Sequence, residues 1–165
     1  NRLKMQLLTV RDDYDYIIID SPPSTSLITV NTLTACDTVL IPMQCEYYSL
    51  EGLSQVIEFI RSVKQRYNPS IDIEGILFTM FDPRLNLTNQ VAEEVKKHFP
   101  TKTFKTVIPK NVRLSEAPSF GKPVYYYDKS SKGCEAYDKL ATEIIIRHGG
   151  KPKIERKRKK IAVKK

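Results

Sequence analysis

Short unbroken apolar runs alternate along this chain with longer stretches whose apolar residues recur every three or four positions, and that alternation narrows the fold most. Residues 16–19, 38–41, 71–80 and 103–108 form runs of the kind that a strand covered on both faces requires. Between them, residues 27–35, 50–67, 88–99 and 133–148 carry helical spacing, clearest in Leu53, Val56, Ile57, Ile60 and Val63. Leu3, Leu7, Leu8 and Val10 suit one face of an opening helix. Asn68-Pro69 should end the long helix, and Pro42 should stop the second strand, because a central strand cannot spare an N–H. Residues 113–117 suit a single helical turn. Residues 124–127 suit a brief extended piece whose tyrosines, Tyr125 to Tyr127, pack in the core or along an edge strand. Strands alternating with helices imply an α/β fold, doubly wound about a mainly parallel sheet.

The 165 residues are 41% hydrophobic, enough for one sizeable core. No apolar run approaches the roughly 20 residues that span a bilayer. Asn1-Arg2-Leu3-Lys4-Met5 has no apolar signal-peptide region and no initiator Met, so the chain is expected to begin inside a longer protein. Cys36, Cys45 and Cys134 are odd in number and widely spaced, arguing against a disulfide framework or a zinc site and for a reducing cytoplasm. His98 and His148 lie too far apart in the sequence to suggest a metal site. The net charge of +8 is unevenly placed: residues 1–150 hold 18 Lys/Arg against 18 Asp/Glu, and residues 151–165 hold nine against Glu155 alone. Residues 1–150 therefore read as one domain. Residues 151–165, after the helix-stopping Gly149-Gly150, read as a basic, disordered arm suited to DNA or another polyanion.

Chemistry concentrates first at Asp20, which ends the apolar run Tyr16-Ile17-Ile18-Ile19 and is followed by Ser21-Pro22-Pro23. A strand-ending carboxylate stands at the carboxyl edge of a parallel sheet, where α/β proteins bind ligands. Such an acid either caps the following helix or helps hold Mg²⁺, usually through water. Arg84 and Arg113 each lie in a polar stretch between apolar elements, from which a side chain can reach a phosphate.

Four segments, in order, resemble one known family. Ile17-Ile18-Ile19-Asp20-Ser21-Pro22-Pro23 resembles the Walker B segment of ParA/Soj partition ATPases. Ile41-Pro42-Met43-Gln44-Cys45-Glu46-Tyr47-Tyr48-Ser49-Leu50-Glu51-Gly52-Leu53 is similar to that family's I-P-x-Q-x-E-Y-Y-A-L-E-G-L. Thr79-Met80-Phe81-Asp82-Pro83-Arg84-Leu85-Asn86-Leu87 is similar to its T-M-x-D-x-R-x-N-L. Residues 108–123, from Ile108-Pro109-Lys110-Asn111-Val112-Arg113 to Gly121-Lys122-Pro123, resemble its I-P-R-N-V-R-L-S-E-A-P-S-x-G-K-P. The likeness extends from about Tyr14 to about Ile146.

The resemblance implies the deviant P-loop class of fold, here from the Walker B strand onward and without the first strand–P-loop–helix. It implies ATP and Mg²⁺ as cofactors, with Asp20 as the catalytic Walker B acid and Mg²⁺ held through water. Pro22, Pro109 and Asn111 would border the nucleotide; Glu46, Tyr47 and Tyr48 would lie near an ATP-dependent homodimer interface. Arg84 and Arg113 would contact non-specific DNA, with Lys102, Lys105, Lys110 and Lys122 widening the patch. A ParB-type centromere-binding protein would be the partner, and the place of action the nucleoid in the cytoplasm, with no membrane. The family's phosphate loop K-G-G-V-G-K-[ST] and its switch aspartate are absent from these 165 residues, so this chain by itself is expected to be inactive. Two alternatives remain at this level: a cell-division-site ATPase of the MinD type, binding membrane, and a non-enzymatic DNA-binding module.

Overall fold

A computed structural model describes residues 2–22, 24 and 26–152. The basic arm read at residues 151–165 falls, from residue 153 on, outside the described residues, as does Pro23. The chain opens with α1 (Arg2–Leu7), which buries none of its residues, followed by a 3-10 turn at Arg11–Asp13. Then come α2 (Leu27–Ala35), β1 (Thr38–Gln44), α3 (Ser49–Arg66), β2 (Asp72–Thr79) and α4 (Asn86–His98). The short α5 (Val112–Glu116) runs into a 3-10 turn, Ala117–Phe120, and α6 (Val124–Tyr127) and α7 (Lys132–Arg147) complete the fold.

β1 and β2 pair in parallel from Thr38↔Asp72 to Gln44↔Thr79, with one irregularity between Val39 and Leu40, and α3 makes the crossover. The expected parallel pairing is thus realised, and helices cover both faces. Ile76 and Phe78 point into a core built with Leu53, Ile57 and Ile60 of α3 and with Val91 and Val95 of α4. Leu77, between them, joins Phe104, Ile108, Ala136 and Leu140 on the other face. A strand buried on both faces must read as a continuous apolar run, and Ile76-Leu77-Phe78 does.

Four expectations are corrected. Pro42 does not stop β1, which continues through it to Gln44, with Pro42 opposite Leu77. Among the described residues β1 pairs along one side only, and an edge strand tolerates a missing N–H. Residues 16–19 form no strand: Ile18 is 93% exposed, and among the described residues no backbone hydrogen bond reaches this segment. Residues 103–108 follow β2 only at their two ends, through the bridges Ile76↔Thr103 and Phe81↔Pro109 and a bond from Ile108 N–H to Phe78. The reason is a competing acceptor. The backbone N–H groups of Lys105 and Thr106 both donate to the Glu143 carboxylate of α7, at 2.9 Å each.

Glu143 also accepts from Arg147, whose guanidinium donates to the carbonyls of Glu74 and Thr103 and lies 3.9 Å from the centre of the Phe104 ring. Burial alone would raise the Glu143 pKa; the hydrogen bonds from Lys105, Thr106 and Arg147 outweigh it and hold the carboxyl below its ordinary range. Lastly, residues 124–127 are helical rather than extended. Tyr127 N–H donates to Pro123 and Asp128 N–H to Val124, closing a turn that Pro123, with φ already at −58°, begins. Tyr126 is exposed, and Tyr127 stacks on Phe120 with ring centres 5.0 Å apart.

Asn68 shows why α3 ends where it does. Its side chain is buried at 2% exposure and donates to the carbonyls of Leu33 and Cys36, at 2.9 Å each. These carbonyls belong to the end of α2, where helix geometry leaves them without intrahelical donors. Asn68→Ala should therefore destabilise the fold by about 3 kcal/mol, since two carbonyls are stripped of an amide donor inside the fold. A shift of the urea midpoint, at unchanged slope, is the measurement. A loss below about 0.5 kcal/mol would show that water replaces the amide.

Candidate functional site

The site is built from one sheet edge. β1, β2 and residues 103–109 run in parallel, so Glu46–Tyr48, Met80–Arg84 and Pro109–Arg113 all emerge at the carboxyl end. The loops are tied together: Phe81 N–H donates to Ile108 at 3.0 Å, and Lys110 N–H donates back to Phe81 at 3.4 Å. Met80 turns the chain out of β2 with φ 52°, a left-handed conformation that is strained for a side-chain-bearing residue.

Asn111 caps α5, its side-chain oxygen accepting from Arg113 N–H at 3.0 Å, while Pro109 is half-buried against Phe81. Beside β1, an open cleft of about 570 Å³ is lined by Gln44, Glu46, Ser49, Gly52 and Thr79 among others. Tyr47 and Tyr48 stand outside it, 73% and 78% exposed, with their rings edge to face at 5.3 Å.

Asp20 and Pro22 are exposed at the end of residues 16–20. That segment begins near the opposite edge, where the Tyr16 hydroxyl lies 3.3 Å from His148 Nδ1 and His148 Nε2 lies 3.0 Å from Glu74. Among the described residues no hydrogen bond or ion pair joins Asp20 to the other expected site residues. Its neighbour Ser21 has a buried hydroxyl with no hydrogen-bond partner.

Neither arginine is free, and Arg113 lies on helix α5 rather than in a loop. Asp82 binds Arg84 in a two-pronged pair, Nε at 2.9 Å and the second nitrogen at 2.6 Å. The hydrogen bonds from the Arg84 side chain and backbone N–H hold the Asp82 carboxyl down at about 2. Arg113 is shared between Glu116, at 2.9 Å, and Asp128, at 3.3 Å. The Tyr127 hydroxyl donates to the same Glu116 oxygen. The spacing D-x-R, an Asx turn in which Asp82 also accepts from Arg84 N–H, was the one available signal for these acids. Lys110 is exposed near Asp82, and Lys122 is exposed after the 3-10 turn. Lys102 does not extend the patch: it pairs with Asp72 at 2.7 Å, at the amino end of β2.

A family model described as an AAA domain matches residues 1–73. Soj of Bacillus subtilis, a sporulation initiation inhibitor protein, is 59% identical over 143 residues, covering 87% of this chain and 56% of Soj. The chromosome partitioning protein ParA of Myxococcus xanthus is 54% identical over 157 residues, covering 95% and 55%. The chain belongs to the ParA/Soj family. It spans a little over half the length of these relatives.

Among solved structures, the cell division ATPase MinD of Pyrococcus furiosus superposes with a TM-score of 0.72 at 23% identity, over 88% of this chain and 58% of MinD. Cobyrinic acid a,c-diamide synthase of Mycobacterium smegmatis, solved with an ATP analog and magnesium, gives 0.67 at 30% identity, over 89% and 54%. The P-loop NTPase class expected from the sequence is thereby established. No helix among the described residues is long and apolar enough to cross a membrane.

Proposed function

We propose that this chain is the Walker-B-containing part of a partition ATPase in which ATP and Mg²⁺ drive dimerisation, and the dimer holds DNA without sequence preference. The reading is supported by one observation above others. In a chain 59% identical to Soj, the motif residues Glu46, Arg84, Pro109, Asn111 and Arg113 all emerge at one sheet edge.

The residues present fit part of what such a protein binds. Asp20 supplies a single exposed carboxylate, with no cluster of metal-binding groups around it among the described residues. That suits Mg²⁺, which keeps several waters and needs few protein oxygens. The orphaned Ser21 hydroxyl beside it is a polar group for which a bound ion's water would be a partner. Bound Mg²⁺ would offset the charge on phosphate oxygens. For the triphosphate itself the residues do not suffice, since no Gly-rich loop with its lysine occurs in the sequence.

Pro109 and Asn111 would border the base, with the Asn111 oxygen already committed to capping α5. The exposed Tyr47 and Tyr48, with Glu46, offer a face for a second copy. Arg84 and Arg113 would meet DNA phosphates, placing the dimer on the nucleoid until a ParB-type partner stimulates hydrolysis. For the full-length protein, affinity for random duplex DNA should rise at least about tenfold with ATP and Mg²⁺, because two weak faces then act together. Binding that is equally tight without nucleotide would overturn the coupling.

A further inference from the structure

The arginines read as the DNA face carry an electrostatic contradiction. Arg84 and Arg113 together face three carboxylates, Asp82, Glu116 and Asp128, at 2.6 to 3.3 Å. With Lys110 near Asp82, the local balance is three positive charges against three negative, a surface that offers a polyanion no net attraction. The geometry sharpens the point. Asp82 meets Arg84 through Nε and a terminal nitrogen, the same two-pronged edge with which arginine grips a phosphate. Arg113 gives Nε to Asp128 and Nη1 to Glu116, so one nitrogen of each of its two bidentate edges is taken.

These acids are held by the fold rather than met by accident. Asp82 accepts from the Arg84 backbone N–H. Glu116 accepts from the Tyr127 hydroxyl. Asp128 accepts from both the backbone and the hydroxyl of Ser130, at 3.1 and 2.8 Å. With the Asp82 pKa near 2, its carboxylate stays charged throughout the physiological range.

Building on the DNA reading above, we infer that Asp82, Glu116 and Asp128 act as an acidic latch that occupies the phosphate-binding edges of Arg84 and Arg113, so DNA binds only by displacing them. Exposed ion pairs are individually weak, so the latch yields to a phosphate array yet sets the affinity. The residues that tune DNA affinity are then acids as much as bases.

The test uses the full-length protein with ATP and Mg²⁺, titrated with random duplex DNA across a range of salt. Asp82→Asn, and Glu116→Gln with Asp128→Asn, keep the local acceptors but remove the charge. Each should raise affinity about three- to fivefold at moderate salt. Asp82→Asn in an Arg84→Ala background should give no gain, and neither should Glu58→Gln, on an exposed site of α3. A gain that persists without Arg84, or that Glu58→Gln reproduces, is general charge and overturns the latch. No gain from the acid variants, with Arg84→Ala and Arg113→Ala still weakening DNA binding, overturns the latch alone. If the alanine variants bind DNA like the parent, the DNA reading falls and the latch with it.

Discussion

Asp20→Ala in the full-length protein should lower ATP hydrolysis at least about a hundredfold, the scale on which removing a preorganised electrostatic group acts. The expectation rests on position. Asp20 ends an apolar run followed by Ser21 and Pro22, and the described residues around it hold no second cluster of acids that could take its place. Residues 1–165 alone should hydrolyse no ATP, because the sequence contains no Gly-rich loop to supply amide donors and a lysine to the phosphates. Asp20→Asn separates charge from packing: it keeps the shape and one oxygen but lacks the carboxylate, and it should fail as badly as Ala. Turnover by residues 1–165 would overturn the reading of the missing phosphate loop, and near-normal turnover by Asp20→Asn would remove Asp20 from the metal-holding role.

The sequence spoke most clearly where a residue's local chemistry leaves the chain no choice. Leu27–Ala35 is the helix expected at those bounds, and Ser49–Arg66 begins one residue early and ends one early, ahead of Asn68-Pro69. The parallel order of β1 and β2 followed from apolar runs separated by a helix long enough to cross over. Expectations failed where the outcome depended on a distant group. Nothing near Thr106 reveals that Glu143, 37 residues on, will take its N–H out of the sheet. Nothing within residues 16–19 tells whether a neighbour stands beside them, and Ile18 ends up exposed. The tyrosines at 125–127 favour strands by type, but Pro123 starts a turn that their own backbone completes.

The same division holds at the site. Motif spacing was enough to bring Arg84, Pro109, Asn111 and Arg113 to one edge, because parallel strands leave the sheet in the same direction. Motif spacing did not give the state of the arginines. Asp82 is two residues from Arg84, close enough to suspect, but Asp128 is fifteen residues from Arg113 and reaches it only because α5 and α6 pack side by side. A lone arginine in a polar segment looks free in a sequence; in the fold it finds the nearest fixed carboxylate.

Arg84→Glu and Arg113→Glu should each weaken binding of random DNA by the ATP-bound full-length protein at least about tenfold while leaving ATP affinity unchanged. Each reversal replaces a cation by a further acid: Arg84→Glu sets a new carboxylate beside Asp82, and Arg113→Glu sets one between Glu116 and Asp128. Neither guanidinium packs in the core, so the change stays electrostatic and the fold should keep its urea midpoint. Salt separates these residues from the basic terminus. Truncation after Gly150 removes the whole +8 and should flatten the dependence of affinity on salt with or without nucleotide, by about 0.9 log units for each phosphate that is no longer neutralised. The arginine reversals should flatten it only in the ATP-bound state, because only a dimer presents two such edges to one duplex. If both reversed proteins bind random DNA as tightly as the parent at every salt concentration, this sheet edge is not the DNA face, and the fold stands without that function.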